Sequence, residues 1–124
     1  MYHQYDPNVF VPPKSDSKKK RIVCVGDSIT AGLSRSCAPP IGQKGYPLQL
    51  QGLLGDAFEV INLGICSRKM QKDKSPSYWN EVAFSRSQQM DPDILIIMLG
   101  TNDAWDWDQE SFTSDYRSLL EIYQ

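Results

Sequence analysis

The stretch Ile22-Val23-Cys24-Val25-Gly26-Asp27-Ser28-Ile29-Thr30 changes character at its centre. Ile22-Val23-Cys24-Val25 is a short, uninterrupted apolar run, the pattern of a parallel strand buried on both faces. Gly26 closes it, and the polar residues that follow suit a helix start or a ligand site. Ser28 admits two readings. It can be the N-cap of the next helix, or a nucleophile held at the carboxyl end of a strand.

Outward from this stretch the same punctuation recurs. Phe58-Glu59-Val60-Ile61-Asn62 predicts a second strand ending at Leu63-Gly64, and Ile94-Leu95-Ile96-Ile97-Met98-Leu99 predicts a third, the clearest buried strand in the chain. Pro47 starts a helix with Leu48, Leu50, Leu53 and Leu54 on its apolar face and Gly55 closing it. Residues 78–90 predict another helix, broken by Asp91-Pro92-Asp93. The last runs from Gln109 to Tyr123, with Phe112, Tyr116, Leu119, Leu120 and Tyr123 in one stripe. Residues 32–46 and the Lys/Ser-rich 66–77 read as surface loops. Strands alternating with helices predict an α/β fold whose parallel sheet is covered on both faces.

A chain of 124 residues is one domain, with enough length for a core. Its net charge of −2 argues against a nucleic-acid binder, which needs a basic face. The charge is uneven: residues 1–21 carry five Lys/Arg against two Asp, whereas residues 101–124 carry six Asp/Glu against Arg117. Residues 1–20, with three prolines and Lys18-Lys19-Lys20, read as a flexible basic leader to a domain over 21–124. Cys24, Cys37 and Cys66 read as reduced thiols, because an odd count without CxxC or a nearby histidine suits neither zinc nor a disulfide framework. No apolar run is long enough to span a membrane, and no signal peptide begins the chain, so a cytoplasmic location and no membrane partner are expected. Oligomeric state is left open.

Ligands of open parallel sheets bind at the carboxyl ends of the strands. Three polar clusters follow the three strands there: Gly26-Asp27-Ser28, Asn62-Leu63-Gly64 and Gly100-Thr101-Asn102-Asp103. Ser28 offers a hydroxyl to attack an acyl carbon. The resulting oxyanion needs preorganised donors, available as the Ser28 N–H, the Gly64 N–H and the Asn102 side-chain amide. Asp27 and Asp103 read as supporting residues that fix turns. No cofactor and no metal are called for, and the carboxylates Asp106, Asp108 and Glu110 read as a solvated helix entry. Trp105 and Trp107, close behind Asn102, read first as packing and second as surfaces on which a sugar could stack; Trp79 reads as packing.

GDSIT, the glycine of NLG, and GTND, in this order and spacing, resemble the first three sequence blocks of the SGNH hydrolases, also called the GDSL esterase/lipase family, over roughly residues 20–124. The resemblance implies a flavodoxin-like three-layer α/β/α sandwich and a serine ester hydrolase of small acyl or O-acetyl esters. In it Ser28 forms an acyl-enzyme, and Ser28, Gly64 and Asn102 build the oxyanion hole. Tyr78-Trp79-Asn80-Glu81 and the residues through Ala104 look most like the carbohydrate-esterase branch, which includes sialate O-acetylesterase-like members.

Two departures stand beside the likeness. Ser67 stands where the family often has a second glycine, and the Asp-x-x-His block that supplies the family's base has no match. The lone histidine is His3, in the leader. The domain therefore reads as C-terminally truncated, with two alternatives to an active enzyme: a fragment of a longer one, or a non-catalytic binding or scaffold protein that keeps the pocket without the base.

Overall fold

Val23, Cys24 and Val25 have no exposed surface, as expected of a strand sandwiched between two layers. The computed structural model describes residues 2–4, 18–32 and 45–124. It contains strands β1 (Tyr2–Gln4), β2 (Lys20–Gly26), β3 (Phe58–Gly64) and β4 (Ile94–Met98) and helices α1 (Ser28–Ala31), α2 (Tyr46–Leu54), α3 (Val82–Gln89) and α4 (Gln109–Ile122). Short 3₁₀ turns occupy Tyr78–Asn80 and Asn102–Asp106.

The strands form one parallel sheet in the order β1-β3-β2-β4. Side chains alternate across it. Val23, Val25, Ile61 and Leu63 point to one face, where they meet Met70, Tyr78, Ala83, Phe84, Met90 and Leu119. Ile22, Cys24 and Val60 point to the other, against Tyr46, Leu50 and Leu54 of α2. The result is the expected three-layer α/β/α sandwich. From β2 the chain goes to β3 on one side, and from β3 it returns past β2 to β4 on the other. A right-handed crossover made in opposite directions places α2 and α3 on opposite faces. It also creates a switch point between β2 and β4, where the loops leaving the sheet diverge and a crevice opens.

Several sequence expectations need correction. Residues 2–4, read as part of a flexible leader, are a sheet strand; residues 5–17 lie outside the described residues. His3 in β1 bonds to Glu59 at 2.9 Å, and Glu59 is bonded in turn to the Arg21 Nε at 3.0 Å. Arg21 is 1% exposed, and its guanidinium also donates to the Met90 carbonyl. Burying such a charge requires partners, and this network supplies them. β4, read as the clearest buried strand, is an edge strand among the described residues, with Ile94 and Met98 exposed. Its continuous apolar run gave no sign of this, because sequence periodicity does not reveal a strand's place in a sheet. Leu53, placed on the apolar face of α2, is exposed. Residues 66–77 are no loose surface loop: Met70, Gln71 and Ser77 are buried. Of the loop predicted over 32–46, residues 33–44 lie outside the described residues.

Candidate active site

The carboxyl ends of the three main strands are level. Gly26 pairs with Gly64 on one side and with Met98 on the other. Gly64 must be glycine for packing: a Cβ there would lie 2.3 Å from the Ala31 nitrogen and 2.9 Å from the Asp27 carbonyl oxygen. Its absence lets α1 press against the end of β3.

Asp27, and not Ser28, is the cap of α1; its Oδ1 accepts the Ile29 N–H at 2.9 Å. Ser28 is the first helical residue, and it is partly exposed. Asp27 is 1% exposed, and burial raises its carboxyl pKa against the lowering effect of the backbone bonds it accepts. Its Oδ2 lies 3.5 Å from the Asn102 Nδ2. Across the switch point, then, the residue beside Ser28 touches Asn102. The Asn102 amide also donates to the Arg68 carbonyl at 3.1 Å. One of its two N–H groups is thus firmly held, and the other is only weakly engaged at the limit of bonding distance.

The Gly64 N–H, expected as an oxyanion donor, is donated to the Asn62 Oδ1 at 2.9 Å inside the sheet. Asn62 is fully buried, and its Nδ2 reaches the Thr30 carbonyl at 2.8 Å and the Tyr2 hydroxyl at 3.0 Å. One side chain therefore ties β3 to α1 and β1, a role that its place at a strand end did not announce. Three residues beyond Gly64, Ser67 has φ 68°, in the left-handed region that glycine enters most freely. The N–H groups of Ser67 and Ser28 have no partner among the described residues.

Asp103 is fully buried. Its Oδ2 accepts the Met70 N–H and its Oδ1 the Gln71 N–H, both at 2.9 Å. It thereby docks the 66–77 segment under the turn that carries Asn102. Trp79 belongs to the same scaffold, donating from Nε1 to the Met70 carbonyl at 2.8 Å and packing on Phe84. Cys66 is disulfide-bonded, which corrects its reading as a reduced thiol; Cys24 is free and buried, and Cys37 lies outside the described residues. Among the described residues no cluster of three His, Cys, Asp or Glu could hold a metal, and no helix is long and apolar enough to cross a membrane.

The Ser28 hydroxyl has no hydrogen-bond partner among the described residues. His3 is no base for it, because its strand partner, Ile61, lies three residues below Gly64 and its ring is committed to Glu59.

Residues 24–124 match the model of the GDSL-like lipase/acylhydrolase family. The chain belongs to that family. This GDSL-like chain is 36% identical over 113 residues to an acetylxylan esterase of Xylanibacter ruminicola, an alignment that takes in 88% of the chain and 22% of that protein. Its fold is similar to the native aryl esterase of M. smegmatis (TM-score 0.63, 28% identity, 83% of this chain and 54% of that one). The inhibitor-bound form of the same enzyme gives 0.62, 26%, 83% and 54%. The chain thus spans about half of the solved esterase and about a fifth of the curated one.

Proposed function

We propose that this chain carries the nucleophile and oxyanion-binding half of a carboxylic-ester hydrolase acting on small acyl or O-acetyl esters. The observation that carries the reading is the contact of Asn102 with Asp27 across the switch point, which sets a neutral amide donor beside the residue that precedes Ser28. The Ser28 Oγ attacks the acyl carbon, the carbonyl oxygen becomes an oxyanion, and the alcohol departs with a proton. Water then attacks the acyl-serine and releases the acid. The Asn102 amide and the Ser28 N–H are donors for the oxyanion. The third donor, assigned from sequence to Gly64, is better supplied by the unpartnered Ser67 N–H, because Gly64 has spent its own on Asn62.

Described residues offer no proton acceptor for Ser28, so the base comes from elsewhere in the functional protein. A triad enzyme stripped of one member still retains roughly 10³–10⁴-fold acceleration over water. Slow turnover of an activated ester is accordingly expected of this chain, and because such a residual rate survives loss of the serine as well, a covalent adduct is the diagnostic signal. The test is reaction with a chromogenic acetate and with a fluorophosphonate, followed by peptide mass mapping. The reading expects an adduct on Ser28 that is absent from Ser28→Ala. Wild-type protein that forms no adduct at Ser28 with either reagent would sink it.

A further inference from the structure

Ser67 holds φ 68°, a conformation strained for any side chain, and its N–H has no partner among the described residues. Such a residue persists only where its surroundings over-determine it. Here the side chain of the next residue does so. From Nη1, Arg68 donates back across Ser67 to the Cys66 carbonyl at 3.0 Å, closing a loop around it. From Nε it donates to the Glu81 carboxylate at 2.7 Å. Its own carbonyl accepts the Asn102 amide at 3.1 Å. Both ends of this bridge are anchored. Cys66 is disulfide-bonded, and Lys69, just beyond Arg68, pairs with Ser77. Glu81, at the N-cap of α3, donates its N–H to the Tyr78 carbonyl and accepts the Phe84 N–H, both at 3.1 Å.

We propose that Arg68 is a positioning residue for the oxyanion donors: its guanidinium, braced on Glu81, holds Ser67 left-handed, while its carbonyl fixes the Asn102 amide. This inference rests on Ser28 being the acyl acceptor and on Ser67 and Asn102 being donors to the oxyanion. A donor stabilises an oxyanion only if it is already aimed when the charge develops. A Ser67 released from its brace would relax to negative φ and turn its N–H elsewhere. Arginine suits the task, because its planar fork donates in two fixed directions at once, here to a carboxylate and a carbonyl. The ion pair itself adds little to stability, since the two side chains are 27% and 25% exposed. Arg68 therefore governs the rate of reaction at Ser28 and not the folding of the chain.

The experiment is saturation kinetics of fluorophosphonate labelling on the full chain, with the adduct mapped to Ser28. Labelling forms an Oγ–phosphorus bond as fluoride and the hydroxyl proton depart, and the phosphonyl oxygen takes the oxyanion's place. Arg68→Ala should lower the limiting rate constant about ten-fold, the scale of one left-handed serine left unbraced. The half-saturating concentration should stay the same, because the donors act in the transition state. Glu81→Ala, which spares the Cys66 contact, should lower the rate constant by less. Ser67→Gly added to Arg68→Ala should restore most of the rate, because glycine enters the left-handed region freely. Thermal melting should move little in all three variants. An effect on half-saturation alone, or a rate loss that tracks a fall in melting temperature and is not relieved by Ser67→Gly, overturns the proposal. Label at Ser28 with an unchanged rate in Arg68→Ala overturns this inference alone, whereas wild-type protein unlabelled at Ser28 overturns the esterase reading and this inference with it.

Discussion

Among single residues, the cysteines differ most from their sequence reading. Burial in β2 pushes the Cys24 thiol up to about 11, so the thiolate that reacts is scarce at neutral pH. Cys66 follows the end of β3 and is disulfide-bonded. Structural disulfides persist in oxidising compartments, which weighs against the cytosolic default taken from the absence of a signal peptide. Thiol titration at pH 8 is expected to find native protein unreactive, Cys24 reactive once the chain is denatured, and further thiols only after reductant is added. Immediate reaction of native protein would contradict both assignments. The places of Ser28 and Asn102 after strands β2 and β4 were legible from sequence because glycine-flanked polar residues after apolar runs mark strand ends. The packing demand at Gly64 was not, since only the close approach of Ala31 reveals it.

Secondary-structure elements show a different pattern of success. β2, β3, α2 and α4 were readable from periodicity and from their Gly and Pro boundaries, and they lie within a residue or two of expectation. The polar 66–77 segment was not, because its order comes from partners distant in sequence, Asp103 and Asp115 among them. Asp103 satisfies the Met70 and Gln71 N–H groups across more than thirty residues of sequence. Leaving a buried donor unsatisfied costs roughly 1–3 kcal/mol each. Asp103→Ala should therefore lower stability by about 3 kcal/mol or more, and Asp103→Asn by less, since one acceptor oxygen survives. Hydrogen exchange at Met70 and Gln71 provides the check; unchanged protection in Asp103→Ala would refute the anchoring role.

For the molecule as a whole, the sequence conveyed the layers but not the flanks. Strand order depends on which segments meet in space, and the three-residue β1 is too short to show any period. One flank of the sheet is capped by that strand through the His3–Glu59–Arg21 network. The other is β4, whose outer edge has no strand beside it among the described residues. Exposed apolar edge strands invite pairing with other chains. Ile94→Lys with Met98→Lys should reduce concentration-dependent association in sedimentation velocity without unfolding the chain, since both side chains are exposed. Identical sedimentation of the double variant and the wild type across a concentration series would show that the edge is inert.

That flank also has a direction. β4 runs parallel to β2 and delivers its loop to the turn that holds Asn102. A strand laid along Ile94–Met98 in the same sense would release its own following loop roughly two strand spacings, about 10 Å, from the end of β2. A histidine carried on such a loop has a short reach to the Ser28 hydroxyl. Among the described residues the lane beside β4 is unfilled, so any polypeptide that paired there would bring its following loop to the same end of the sheet as Ser28.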